Sequence, residues 1–419
     1  MDSDTANQAQ QAAPRPATSA EVVVVGGGLG GLCASILLAK AGHSVILIER
    51  KTYPFHRVCG EYVSLESWAF LERLGIPLSD LKLPILKRLR VSSPAGRTVS
   101  SRLPLGGFGI SRYLLDYALA QLAQDAGVTL LSYTTVEAVT RDPDNADRYW
   151  IDLNKGPRIQ ARFVIGAFGK RSNLDMAWKR PFVMAAYKAE DQSEKRLNKF
   201  GQTDYRAGKG NPYHNYIGVK WHLRADLPKD IIELHNFSNG YAGISAIEGE
   251  KYCFCYLTTA ANLRIADNSI EQMEHDILGR NPILKRYLND FPKVWERPQV
   301  ISQISFADKN SLENGVWMLG DAAGMITPLC GNGMSMAMHS AAIATPLISA
   351  ALKGKMPRTE AETTYQQLWK VQFGKRVWVG RQIQASFGHP VLTEAVVAAF
   401  KLMPWAIKPL IGLTHGKPF

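Results

Sequence analysis

Three groups of residues in this 419-residue chain have types and spacings that can do chemistry. The first is Gly26, Gly28 and Gly31 in a G-x-G-x-x-G pattern, with Leu29 and Gly30 between the last two, followed by Glu49 and Arg50. Glycines at that spacing allow a tight turn, close approach of backbone to a pyrophosphate, and close packing of a helix on a strand. The phosphates would sit on the free N–H groups at a helix N-terminus, where the dipole favours negative charge. Glu49 would accept hydrogen bonds from ribose hydroxyls. The second group is Gly320-Asp321, Pro328 and Gly331-Asn332-Gly333. Asp321 can bind a sugar hydroxyl, and a helix opening at Gly331 to Gly333 offers N–H groups to a phosphate or a ring carbonyl. The third is the loop 53–64, where Cys59-Gly60-Glu61 packs a thiol, a flexible hinge and a carboxylate together, with His56 nearby. Read alone, that loop is an ordinary surface turn around a buried cysteine.

These residues need elements to position them. Val22 to Val25 suit a parallel strand buried on both faces. A helical stretch from Leu32 to Lys40, a stop at Gly42 and an apolar strand from Val45 to Ile48 complete a βαβ unit. Helices are predicted over 65–74 and from Ser111, as N-cap, to Ala126. Arg112, in the first turn of the latter, can reach a phosphate or a ribose; without a ligand it reads as a solvated arginine. A hairpin spans 86–102 with Pro94-Ala95-Gly96 as its turn, and strands follow at 128–140, 149–153 and 160–166. From about 182 to 260 the texture changes to aromatic-rich strands, an antiparallel sheet with one face over a cavity. Cys253 and Cys255 share a strand face there and read as core. Helices at 269–278 and 281–289 close that region.

The fold class is therefore α/β. A Rossmann-like dinucleotide domain (21–181, including the small hairpin 86–102) resumes at 298–350, an antiparallel substrate domain spans 182–297, and helices fill 351–419. Residues 1–20, rich in Ala, Gln, Ser and Thr, read as a disordered tail. Residues 391–413 are apolar with Lys401 and Lys408 interspersed. They are expected to pack as a lid over the cavity, the alternative being a position on a bilayer surface.

A hydrophobic content of 46% and a charged content of 21% are ordinary for a globular protein. No apolar run approaches the roughly 20 residues of a membrane-spanning helix. Five cysteines argue against a disulfide framework, and none of their spacings suggests zinc, so no metal is expected. The net charge of +12 raises nucleic acid or an anionic membrane as partners. The basic residues are scattered without a nucleic-acid motif, so no nucleic acid is expected, peripheral membrane contact is the second option, and the expected compartment is the cytoplasm.

The motifs together resemble FAD-dependent oxidoreductases of the p-hydroxybenzoate hydroxylase fold, within the branch of geranylgeranyl reductases and flavin-dependent halogenases. The residues that carry this are GGGLGG with Glu49, the Pro-x-x-x-x-Cys-Gly loop ending at Cys59-Gly60, Arg112 at a helix start, and GDAAGMITPLCGNG. The resemblance implies FAD as cofactor, with NAD(P)H or another external reductant. Gly26, Gly28 and Gly31 would cradle its pyrophosphate, Glu49 its adenosine ribose, Arg112 its ribityl-phosphate part and Asp321 a ribityl hydroxyl. Gly331, Asn332 and Gly333 would lie under the isoalloxazine, and Cys59-Gly60 near flavin and substrate. Gly166-Ala167-Phe168-Gly169 stands where aromatic hydroxylases have Gly-Ala-Asp-Gly, and no Trp-x-Trp-x-Ile-Pro halogenase segment is present. Tyr241 to Ala246 matches the reductases' Tyr-x-Trp-x-Phe-Pro stretch only degenerately, with Gly243 at the Trp position. The implied activity is reduction of a double bond in a hydrophobic, prenyl or polyketide-like substrate, with Glu61, His56 or Cys59 as proton donor. A monooxygenase acting on an aromatic or polyketide substrate is the alternative, and a flavoprotein sensor or binding module the third reading.

Overall fold

The computed structural model describes residues 18–184, 216–386, 390–413 and 415–419. In chain order it opens with β1 (Thr18–Val25), α1 (Leu29–Lys40) and β2 (Val45–Ile48). Then come β3 (Tyr62–Ser64), α2 (Trp68–Leu74), the hairpin β4 (Ile85–Ser92) and β5 (Thr98–Gly109), and α3 (Arg112–Asp125). Next are β6 (Thr129–Leu131), β7 (Val136–Arg141), β8 (Tyr149–Leu153), β9 (Ile159–Gly166) and α4 (Asn173–Ala177). Four strands follow, β10 (Tyr216–Leu223), β11 (Ile231–Phe237), β12 (Gly240–Ile247) and β13 (Lys251–Thr259), then α5 (Ala260–Ile265), α6 (Ile270–Asp276) and α7 (Pro282–Asp290). The chain closes with β14 (Gln299–Ile304), β15 (Leu312–Glu313), β16 (Val316–Met318), α8 (Gly333–Leu352), α9 (Arg358–Ser386), α10 (Pro390–Leu402) and α11 (Ile407–Gly412).

Two sheets organise these elements. The first has the order β15-β16-β9-β1-β2-β6, with β7 and β8 attached beside β9. Its centre is parallel: Val22 pairs with Val45 on one side and Phe163 on the other. Val22 to Val25 are all buried, as a strand covered on both faces requires. Helix α1 is packed on its outer side by α8, and the two backbones come close enough that a Cβ on Gly30 would stand 3.1 Å from the Ala337 carbonyl oxygen. The second sheet runs β14-β10-β13-β12-β11-β4-β5-β3 and is antiparallel except where β11 meets β4. One of its faces, with Trp221, Phe254 and Tyr256, packs on α6 and α7 through Met273, Leu284 and Tyr287.

Several expectations are corrected here. The hairpin 86–102 does not stay with the first sheet: β4 pairs in parallel with β11, Ile231 opposite Arg88, because its outer edge would otherwise present unpaired N–H and C=O groups. The irregular loop 53–64 ends in a short strand, Tyr62 to Ser64, paired with Gly107 to Gly109. Residues 18–20 belong to β1 rather than to a tail, and the rest of the proposed tail lies outside the described residues. Residues 181–184, expected as the first strand of the aromatic region, are helical, and the remainder of that stretch to 215 lies outside the described residues. Finally, α8 is, by length and composition alone, long and apolar enough to cross a membrane, although Ser, His, Thr and Pro interrupt its apolar residues. Half of it is buried, and it packs against α1 and α9 as a core helix.

Candidate active site

The first glycine turn does three separate jobs. Gly26 has φ +104°, and a Cβ there would lie 2.5 Å from the Ala167 carbonyl oxygen, so only glycine makes the turn. A Cβ on Gly31 would lie 2.0 Å from the Gly26 carbonyl oxygen, which fixes the helix tightly against the strand. At Gly28 a Cβ would meet nothing nearer than 4.0 Å, where the Ala167 carbonyl and Arg112 Nη2 stand, so this glycine faces open groove. Gly28 is also the N-cap of α1, and no side chain caps the helix, so its first N–H groups are left for a ligand. Leu29 itself turns into the core, 3% exposed, and can contribute only backbone.

Glu49 ends β2 beneath this turn. Its Oε2 accepts hydrogen bonds from Gly27 N at 3.0 Å and from Arg57 Nη2 at 2.9 Å, and its Oε1 from Lys51 N at 3.1 Å. An ionised carboxylate has about four lone-pair sites, so one remains for a ribose hydroxyl. Arg57 also binds Asp116 at 3.0 Å, and Asp116 grips Arg112 through two bonds of 2.7 Å. The Tyr53 hydroxyl donates to the Gly27 carbonyl. The chain Glu49–Arg57–Asp116–Arg112 thus holds Arg112 facing Gly28. Arg57, Asp116 and Tyr53 were not singled out from sequence, although Asp116 stands one helical turn from Arg112, a spacing at which such pairs form.

The second motif meets the first across this groove. Gly320 (φ +57°) turns the chain after β16. Asp321 follows, its carboxyl pushed up by burial against the opposing charges of Lys309, Arg112 and Lys170. Lys309 Nζ donates to the carbonyls of Lys170 at 2.6 Å and Asp321 at 2.7 Å, tying the β9 turn to this corner. Burial together with neighbouring cations lowers both Lys170 and Lys309 to about 8. Arg50 is exposed, and its charge is among those acting on Lys170. Pro328 is exposed and opens a short 3₁₀ turn that ends at Gly331 (φ +65°), where a Cβ would stand 2.8 Å from the Tyr62 ring. Asn332 is the N-cap of α8 and makes no side-chain cap hydrogen bond, so no side chain caps this second helix start. Two uncapped helix starts, a glycine that faces open space, an anchored arginine and a buried carboxylate form a donor and acceptor set that fits FAD.

The third group carries the largest departure from expectation. Glu61 is fully buried and takes a left-handed backbone, φ +55°, rare for a residue with a side chain. Its Oε1 accepts from Arg112 N at 2.8 Å and from Lys220 Nζ, and its Oε2 from His222 Nε2 at 2.6 Å. Lys220 and His222 lie two apart on β10, opposite Cys255 and Cys253 on β13. Their side chains therefore share the face turned away from Trp221. Cys253 Sγ contacts the Cys59 carbonyl at 3.2 Å and Lys220 Nζ donates to the Arg57 carbonyl at 3.1 Å, so the loop is fastened to the sheet at several points. Burial alone would raise Glu61, but the hydrogen bond from His222 and the Lys220 and His222 charges hold it down at about 2. Burial works against the Lys220 charge too, yet its neighbours Cys253 and Glu61 raise it. Cys253 is itself held as a neutral thiol by burial, so the carboxylate is the partner that matters.

These surroundings set the charge states of the three expected proton donors. Glu61 is a carboxylate at neutral pH and orients cations rather than giving up a proton. His56 is pushed to about 4 by burial and by the Lys220 and His222 charges, so it is neutral there. It stacks on Tyr113 (4.7 Å) and packs on Trp295 (4.5 Å), which also covers His222 (4.4 Å). Burial raises Cys59, leaving a protonated thiol of low reactivity. Gly60 is exposed and a Cβ there would meet nothing within 4 Å. The hydrogens directed onto Glu61 are those of Lys220 Nζ–H and His222 Nε2–H. The sequence signal for them was two charge-bearing residues at alternate positions of an otherwise apolar strand, YIGVKWHL.

Two other clusters were weighed. Ligand atoms of Glu61, His222 and Cys253 lie within 4.8 Å of one another, a set the cysteine spacing did not foresee. The Lys220 ammonium already supplies the cation on that carboxylate, so a metal ion would meet direct repulsion. Ser92 Oγ, His235 and Glu233 are joined at 2.8 and 2.9 Å in nucleophile–base–acid order. All three are buried, and Asn281, Tyr287 and Arg90 take up the remaining positions, so this set clamps β4, β11 and α7 together.

Comparison with known proteins supports an FAD-binding chain. Residues 19–182 match the FAD binding domain family. The chain is 28% identical over 361 residues to digeranylgeranylglycerophospholipid reductase of Methanocaldococcus jannaschii, covering 84% of this chain and 82% of that one. It is 23% identical over 377 residues to conditioned medium factor receptor 1 of Dictyostelium discoideum, covering 84% and 68%. Among solved structures it superposes on the flavin-dependent brominase Bmp2 with a TM-score of 0.70, at 16% identity and 94% coverage of both chains.

Proposed function

We infer that this chain, an FAD-dependent oxidoreductase of the p-hydroxybenzoate hydroxylase fold, reduces a carbon–carbon double bond of an apolar, prenyl-type substrate. The observation that carries this reading is the buried Glu61–Lys220–His222 set, which stores protons beside the cofactor groove. The similarity to a digeranylgeranylglycerophospholipid reductase supports the substrate class.

When bound and reduced by NAD(P)H or another donor, the cofactor supplies a hydride. The protein does the rest. The uncapped start of α1 holds the pyrophosphate, Glu49 the ribose, and Arg112 and Asp321 the chain between them. Saturating an alkene takes one hydride and one proton. The proton comes from Lys220 Nζ–H or His222 Nε2–H, each directed onto a Glu61 oxygen and so kept in place until substrate arrives. Trp295, packed on His222 and over Lys220, shields that set from bulk water.

The test is anaerobic single turnover of chemically reduced enzyme with a polyprenyl alkene, read by mass spectrometry. The expected product is two hydrogens heavier, and carries two deuteriums when the solvent is D2O, because the transferable hydrogen of a chemically reduced flavin exchanges with solvent. A product formed only with oxygen, and containing one of its atoms, would instead make the protein a monooxygenase. Lys220→Met should lower turnover while leaving FAD retention intact.

A further inference from the structure

Among the described residues, exposed apolar side chains are concentrated in and around helices α9 to α11. Of the 16 large hydrophobic side chains exposed among the described residues, nine lie beyond residue 367. The most prominent are Val371 and Trp378 on α9, Val391 at the start of α10, and Leu402 and Trp405 at the corner between α10 and α11, which are 84% and 71% exposed. The same stretch is strongly basic: from residue 363 to 419 there are seven lysines and arginines against one acidic residue, Glu394.

The helices are held firmly from the other side. Phe373 and Val377 of α9 pack on Ile326 and Cys330 of the second motif. Val397 and Ile407 pack with Val99 of the hairpin. These residues turn inward on elements around the site, while Trp378, Leu402 and Trp405 stay exposed, the last two close in sequence to Lys401. Tryptophan and leucine beside lysine are the composition of surfaces that settle into a lipid headgroup layer. A second copy of this chain is the weaker occupant, because docking the face on itself would bring two excesses of positive charge together.

We propose that α9 to α11 form a docking surface for an anionic lipid bilayer, with the corner Lys401-Leu402-Met403-Trp405 entering the headgroup layer. This deepens the function proposed above, since a bilayer would present an apolar substrate to the neighbouring site, but its test requires no turnover. The FAD-loaded protein is floated with vesicles of phosphatidylglycerol and phosphatidylcholine in equal parts, and separately with phosphatidylcholine alone. It should float with the anionic vesicles, less so at high salt, and the Leu402→Ser/Trp405→Ser variant should lose about tenfold or more in binding. Lys401→Glu should weaken binding further while leaving the flavin spectrum and circular dichroism unchanged. The proposal is overturned if the parent stays soluble with both vesicle types, or if the double variant binds as well as the parent. It is equally overturned if sedimentation without lipid shows a dimer that the variant abolishes, which would give the face to a second copy. Vesicle binding without alkene reduction would sink the activity and leave the surface standing.

Discussion

Replacing Glu61 by Gln tests the centre of the site with a nearly isosteric change. The carboxylate is fully buried, and its pKa lies at about 2 instead of the usual 4.5. A difference of that size corresponds to about 3 kcal/mol of folding stability at neutral pH. Removing the charge also strands Lys220 without its counter-ion, and breaking one side of a buried pair typically costs about 3–5 kcal/mol. The two figures describe the same interaction, so the variant should lose about 3–4 kcal/mol at pH 7 in urea unfolding followed by circular dichroism. The pH dependence has a defined sign. A depressed carboxyl pKa contributes stability above 4.5 and loses it as pH falls toward 2. The gap between parent and variant should therefore be full at pH 7, shrink below about 4.5 and close near 2. A cycle with Lys220→Met adds a second check. The double variant should be far less damaged than the sum of the single changes, because no lone charge then remains buried. Equal urea midpoints at pH 7, or a gap that persists unchanged in acid, would refute the assignment of Glu61 as the counter-ion.

Two further expectations concern the cofactor groove. Gly28→Ala should fold normally, since its Cβ meets nothing within 4.0 Å, yet bind FAD about tenfold or more weakly by intruding on the ligand, whereas Gly31→Ala, with a Cβ 2.0 Å from a carbonyl oxygen, should lose about 1–3 kcal/mol or more of stability. Comparing thermal midpoints without FAD separates the two, and equal behaviour would contradict the roles given to these glycines. Lys170 and Lys309 titrate at about 8. FAD affinity, measured by fluorescence quenching, should fall roughly tenfold as pH rises from 7 to 9 and the two positive charges beside Asp321 are lost. Folding stability should move the other way over pH 8 to 10.5, because the unfolded chain keeps those protons longer.

Much of this protein was legible in the sequence where structure is decided locally. The β1–α1–β2 unit, the Ser111 cap of α3, whose side chain accepts from Leu114 N, and the turn at Gly96 (φ +80°) all follow from neighbouring residues. Partners separated by long stretches of chain were not legible. Nothing within 86–102 says that β4 pairs with β11 some 140 residues later. Lys220 and His222 could be recognised as out of place on an apolar strand, but the residue they serve lies about 160 positions earlier. The charge states of Glu61 and His56 were not legible for the same reason. A carboxyl or imidazole is read with its ordinary acidity until its neighbours are known, and here those neighbours come from β10.

The position of Glu61 explains why the two sheets act as one site. Its left-handed backbone costs on the order of 1–3 kcal/mol, and its burial next to Lys220 adds a desolvation cost that apolar packing would not incur. Neither cost is needed to hold the fold, since the opposite face of the same sheet is packed by Trp221, Phe254 and Tyr256. What the strain achieves is a junction. Arg112 places its guanidinium toward Gly28 in the cofactor groove, while its backbone N–H, 2.8 Å away, holds the carboxylate that orders Lys220 and His222. Groups that would grip the cofactor and groups that keep protons are therefore fixed through one residue at the start of α3. A change that displaces Arg112 must disturb both sets of contacts.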